Sequence, residues 1–151
     1  MFSVVRFARQ RALARACPHF TVGDIGAVSI TGMQGASYLD NAAGGDGERK
    51  TDNEAVLKIA KETNRLYFNT TSAVEVRDEK LRRTIHVEKS GSRSTVIWNP
   101  WTTQKMPADF APENHKHMVC VESGNVKENK ISLAPGQVTH LKVILGGALL
   151  K

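Results

Sequence analysis

Proton transfer calls for carboxylates and imidazoles, and in this chain of 151 residues one carboxylate stands out. Glu122 closes the apolar run Met118-Val-Cys-Val121. Spacing alone leaves it as either a base shielded from water or a solvated residue at a strand end. Among five histidines, His115 and His117 have the His-X-His spacing that turns two imidazoles to one strand face, as a metal site needs. No third ligand is evident nearby. His86 and His140 read as exposed strand or loop residues, and His19 follows Cys17-Pro18 just ahead of the first strand-like run. Cys17 and Cys120 lie in segments of different character and read as free thiols of a reduced, intracellular protein. Trp98 and Trp101 suit either stacking on a sugar ring or packing at a strand end.

The elements that must position these groups are strands. From Phe20 onward, short runs rich in β-branched residues alternate with turn residues, the pattern of an antiparallel all-β domain. Expected strands are 22–31, 36–41, 55–60, 66–69, 73–77, 81–89, 94–99, 117–123, 130–133 and 137–145. In Thr84-Ile-His-Val-Glu-Lys89 the alternation puts Ile85 and Val87 on a core face and His86 and Glu88 on the other. Ser94-Thr-Val-Ile-Trp98 turns apolar on both faces and reads as an inner strand. Ser90-Gly91-Ser92 reads as a hairpin turn with Arg93 as a flanking surface residue, and 42–54 as a polar, Gly-rich surface loop.

Residues 1–16 read differently. They mix helix formers with Arg6, Arg9, Arg11 and Arg15 and contain no acid, the composition of a short basic N-terminal helix. Such a segment suits an organellar transit peptide or an arbitrary N-terminus joined to the domain. The chain carries 21 Lys and Arg against 15 Asp and Glu, a net charge of +6. Four of those charges lie in the first tenth, so the rest is nearly balanced and a nucleic-acid surface is not indicated. No apolar run approaches the roughly 20 residues of a membrane span.

Three motifs then resemble one family in order. They are Glu88-Lys-Ser-Gly-Ser-Arg-Ser-Thr-Val-Ile-Trp-Asn-Pro-Trp101, then Met106-Pro-Ala-Asp-Phe110 with His115-Lys-His-Met-Val-Cys-Val-Glu-Ser-Gly-Asn-Val126, and the ending Ile131-Ser-Leu-Ala-Pro-Gly-Gln137. Their combination is similar to the C-terminal part of the hexose-6-phosphate mutarotases (glucose-6-phosphate 1-epimerases) of the aldose 1-epimerase superfamily. The resemblance spans about residues 20–145, leaving 1–19 as an unmatched basic segment and 20–151 as part of a galactose-mutarotase-like β-sandwich. It implies that the first half of the sandwich is missing.

The implied reaction opens the pyranose ring, turns the C1–C2 bond and closes on the other face, without a cofactor. A base takes the C1 hydroxyl proton while an acid protonates the ring oxygen. By the resemblance Glu122 is the base. Cys17 stands in register with the family's acid histidine, and His19 falls about 6.5 Å further along an extended strand. Asn64, in Thr63-Asn-Arg-Leu-Tyr67, replaces an aspartate that binds sugar hydroxyls. The expected partner is a hexose 6-phosphate, in a cytoplasmic setting, or an organellar one if residues 1–19 are a transit peptide, with neither nucleic acid nor membrane. An unpaired half-sandwich would form a homodimer through its exposed sheet surface. The contrasting expectation is an inactive remnant or sugar-binding module without the acid.

Overall fold

Runs of Val, Ile, Thr and aromatic residues interrupted by Gly, Asn and Asp build twelve strands in the computed structural model, which describes residues 2–7, 15–42 and 47–150. They are β1 (Phe2–Phe7), β2 (Arg15–Ala16), β3 (His19–Thr21), β4 (Ser29–Thr31), β5 (Ser37–Asp40), β6 (Arg49–Thr51), β7 (Thr63–Phe68), β8 (Val74–Asp78), β9 (Arg83–Ser90), β10 (Ser94–Asn99), β11 (Met118–Gly124) and β12 (Thr139–Leu149). Every ladder is antiparallel. One sheet runs β1-β12-β9-β8-β4. The other runs β2-β11-β10-β7-β5-β6, with β3 following β2 along the same edge of β11.

The two sheets face one another across a single apolar core. Ile30, Val74, Val76, Ile85, Val87, Leu141 and Val143 come from the first sheet and Tyr67, Ile97, Val119 and Val121 from the second. Burying each such side chain is worth about 1.5–3 kcal/mol relative to leaving it in water. The antiparallel all-β fold expected from the alternation, in the sandwich form that the resemblance implies, is therefore the fold.

Six local expectations are corrected. Residues 2–7 are a strand paired with β12, from Phe2 opposite Ile144 to Phe7 opposite Thr139, and not part of a helix. Arg15 and Ala16 pair with β11. Helix-forming composition loses here to the unfilled edges of β12 and β11, which offer a complete set of backbone partners. The part of the expected helix at 8–14 lies outside the described residues. The expected strand 55–60 is reduced to a bridge between Leu57 and Ile30, 130–133 forms no ladder, and 22–31 is interrupted by a 3-10 turn capped by Asp24. Within the expected loop 42–54, Arg49–Thr51 pairs with β5.

The sixth correction concerns Ser90-Gly91-Ser92, which is no hairpin. β9 belongs to one sheet and β10 to the other, so the link crosses between layers. Gly91 makes the crossing with φ +70°, Asn125 Nδ2 donates to its carbonyl at 2.6 Å, and the carbonyls of Gly124 at 2.8 Å and Ser94 at 3.0 Å share the one O–H of buried Ser92.

Beneath this link lies Lys89, whose ammonium donates to Thr70 Oγ1, Thr95 Oγ1 and the Ser94 carbonyl, all uncharged. Burial lowers its pKa from 10.5 to about 8. A lysine that resists protonation in the folded state makes the unfolded state bind more protons between those values, so stability rises as pH climbs from 8 towards 10.5. Lys89→Met leaves the Thr70 and Thr95 hydroxyls bonded to each other at 2.8 Å and the Ser94 carbonyl within 3.0 Å of the Ser92 hydroxyl it shares with Gly124. Urea midpoints should show the Met variant more stable than the unmodified chain at pH 7, with the gap closing above pH 10.

No helix among the described residues is long and apolar enough to cross a membrane.

Candidate active site

The outer face of the second sheet carries the site. On β11 the period of two sends Val119, Val121 and Ser123 inward and leaves Cys120, Glu122 and Gly124 on the opposite face. The register aligns rows across the sheet. Cys120 lies beside His19 on one flank and Trp98 on the other, and Trp98 lies beside Asn64. Glu122 lies beside Val96, and Val96 beside Leu66. Ala16 faces Ser123 and His19 faces Cys120, so the intervening register sets Cys17 directly opposite Glu122.

These rows line a cleft of 580 Å³, walled by Arg15, Cys17, His19, Asn41, Asn64, Ser94, Trp98, Gln104, Glu122 and Lys127, among others. That volume lies within the range of small-molecule sites. The three residues singled out in the sequence, Glu122, Asn64 and His19, thus share one cleft. His19 sits one row from Glu122, its ring edge-on to Trp98 at 6.1 Å between centroids.

Glu122 is not the solvated strand-end residue that spacing allowed, since only 6% of it is exposed. Arg15 Nε lies 2.9 Å from Glu122 Oε2. The same Nε–H donates to Cys17 Sγ at 3.0 Å, and Oε2 is buried without a hydrogen bond. Oε2 thus has a cation beside it and its acceptor capacity unused. Partial burial, the largest single influence, works against the Arg15 charge, but Glu122, Cys17 and Cys120 together outweigh it and the Arg15 pKa is raised. Burial pushes the Cys17 thiol up, and the Glu122 carboxylate adds to the shift. Cys120 is pushed up further by burial and by Glu122. Both thiols are therefore held protonated and unreactive near neutral pH.

The Trp-Asn-Pro-Trp block positions one end of the cleft. Asn99, fully buried, donates through Nδ2 to the carbonyls of His115 and Met118 at 2.7 and 2.8 Å and accepts from Trp101 N–H at 2.8 Å. This ties the end of β10 to the start of β11. Trp98 lines the cleft with its indole N–H on Gln104 Oε1 at 2.9 Å, whereas Trp101 packs on the core against His115. His115 Nδ1 contacts the Pro112 carbonyl at 2.6 Å and His117 Nδ1 the Gly23 carbonyl at 3.1 Å, so the His-X-His pair is taken up by separate backbone contacts. Among the described residues no three His, Cys, Asp or Glu side chains converge on a common point. Arg93 is exposed beside Asn125, away from this cleft.

The sequence profile of the aldose 1-epimerase family matches residues 18–146. This chain belongs to the aldose 1-epimerase family. Over 128 residues it is 33% identical to the "Putative glucose-6-phosphate 1-epimerase" of Cenchrus ciliaris, which takes in 84% of this chain and 38% of that protein. The fold matches the crystal structure of a mutarotase, YeaD, from Salmonella typhimurium, titled as putative, with a TM-score of 0.81 at 21% identity, over 97% of this chain and 49% of that one. A similarly titled aldose 1-epimerase from Escherichia coli K12, b2544, matches at a TM-score of 0.63 and 15% identity, over 93% of this chain and 52% of that one. The chain thus spans about two-fifths of the curated relative it matches and about half of each solved one.

The cleft residue that sequence reasoning missed is Arg15. It was assigned to a basic helix, where 15, 17 and 19 diverge in direction. On a strand edge the same three residues share a face. The period of two, continued back from His19, was the signal that pointed to it.

Proposed function

We propose that this chain binds hexose 6-phosphates in the β11 cleft with Glu122 as base toward the C1 hydroxyl, and equilibrates their anomers only slowly. The observation that carries the reading is Glu122 Oε2, a buried carboxylate oxygen at the wall of a ligand-sized cleft with no hydrogen bond of its own. A sugar hydroxyl supplies the missing donor. Asn41 and Asn64 add amide donors and acceptors for further hydroxyls, and Trp98 offers an aromatic wall.

Ring opening moves the C1 hydroxyl proton to Glu122 while the ring oxygen gains one from an acid. The C1–O5 bond breaks to give the open aldehyde, rotation about C1–C2 presents the other face, and closure returns both protons. Cys17 faces Glu122 where glucose-6-phosphate 1-epimerases carry the acid histidine. A thiol whose pKa is raised by burial and by Glu122 is a poor donor. Slow exchange follows from that replacement. A sugar-binding module without turnover is the second reading, favoured by the same thiol.

A titration tests the binding on which both readings rest. The chain has two tryptophans, hence two indole N–H resonances. Glucose 6-phosphate should shift the Trp98 indole and leave that of Trp101 in place, with Glu122→Gln weakening binding about 10-fold. A titration that moves neither indole, or Trp101 alone, removes the cleft as the sugar site.

A further inference from the structure

Among the described residues three charged side chains line the cleft: Arg15 and Lys127 carry positive charge and Glu122 is the single carboxylate. Among these three the cations outnumber the carboxylate by one. Arg15 is placed unusually for a structural ion-pair partner. Its side chain is 52% exposed, against 8% for that of Glu122. It projects from a two-residue strand that pairs with β11 through Arg15 opposite Gly124 and Ala16 opposite Ser123. Its Nε–H is spent on the Cys17 sulfur, a weak acceptor, and no hydrogen bond fixes it to the carboxylate. The guanidinium therefore sits beside Glu122 without being locked there.

From this placement we infer that Arg15 selects for anionic sugars by exchanging partners: the guanidinium leaves Glu122 for the phosphate of the incoming sugar, and its departure frees the carboxylate for the C1 hydroxyl. The inference rests on the reading that the cleft takes a sugar phosphate, and it names the residue that senses the charge. A phosphate presents several oxygens to the planar fork of an arginine and makes stronger, charge-assisted hydrogen bonds than one misaligned contact with a carboxylate oxygen. A neutral hexose offers no such competitor. It has to bind beside an Arg15 still resting on Glu122. Lys127, exposed on the 3-10 turn Lys127–Asn129, adds attraction for an anion at the cleft wall.

The experiment is a set of calorimetric titrations at constant ionic strength, using the full chain, Arg15→Gln and Glu122→Gln with glucose, glucose 6-phosphate and inorganic phosphate. The full chain should bind glucose 6-phosphate at least about 10-fold more tightly than glucose. Arg15→Gln should lose most of that preference while binding glucose as well as before or better. Glu122→Gln should bind inorganic phosphate several-fold more tightly, since Arg15 no longer has a competing carboxylate. A preference for the phosphorylated sugar that survives Arg15→Gln overturns the inference and leaves the sugar site standing. Phosphate binding that depends on Arg15, in a chain that binds neither sugar, overturns the proposed function and keeps the anion contact. Weaker phosphate binding in Glu122→Gln also overturns the exchange of partners.

Discussion

Cys17→His is expected to speed the exchange of glucose 6-phosphate anomers by about 10²-fold over the unmodified chain, the lower end of what a positioned acid contributes. The register puts residue 17 directly opposite Glu122, where side chains of neighbouring strands approach within about 4.5–5.5 Å at Cβ. An imidazole there reaches the ring oxygen of a sugar whose C1 hydroxyl rests on Glu122, and it titrates near neutrality where the thiol does not. His19 cannot take over this role by a change of rotamer, because it belongs to the next row, opposite Cys120 and edge-on to Trp98. The unmodified chain should stay within about 10-fold of the spontaneous rate. Magnetisation exchange between the two anomeric proton signals measures this without coupling enzymes. A histidine variant that is folded and no faster than the unmodified chain would show that the missing acid is not what limits this site.

Gly91→Ala should be the most damaging single-methyl change in the sandwich, lowering stability by about 3 kcal/mol or more. Two costs combine at this position. The φ of +70° strains any residue with a side chain, and the added Cβ would lie 1.9 Å from the His140 carbonyl oxygen and 3.0 Å from its carbon. Both obstacles are backbone of β12, which cannot move without disturbing its pairing with β1 and β9. Gly136→Ala separates the two costs. Its φ is +82° and nothing lies within 4 Å of the added carbon, so only the backbone strain of about 1 kcal/mol applies. Urea denaturation of the two variants should therefore differ by about 2 kcal/mol or more. Equal losses would mean that β12 yields to the new methyl.

The same crossing shows where a sequence stops being informative. Ser90-Gly91-Ser92 sits between two strand-like runs, and a short link looks alike whether the runs pair side by side or part into facing layers. What decides is the fit of β9 beside β8 and β12 and of β10 between β7 and β11, which depends on residues far along the chain. Alternation, by contrast, was legible at Ile85 and Val87, whose inward face is the core. The N-terminal segment went the other way. Alanine and arginine favour a helix when considered alone, yet Arg15 and Ala16 extend along β11 because its edge supplies backbone partners that a short, unpacked helix lacks. The cost of that misreading fell on the site, since Arg15 enters the cleft only as part of a strand. Motif positions marked Glu122 and Asn64, but their meeting with His19 depends on β3, β7, β10 and β11 lying side by side.

The central claim is that Glu122 is the base of this cleft, and it is tested most directly by anomer exchange in the Cys17→His, Glu122→Gln double variant. With the acid restored and the base replaced by an amide of the same shape, the exchange rate of glucose 6-phosphate should fall back to the spontaneous value. Acceleration retained in the double variant at the level of Cys17→His alone would contradict the account, since the C1 hydroxyl proton would then be leaving to a group other than Glu122.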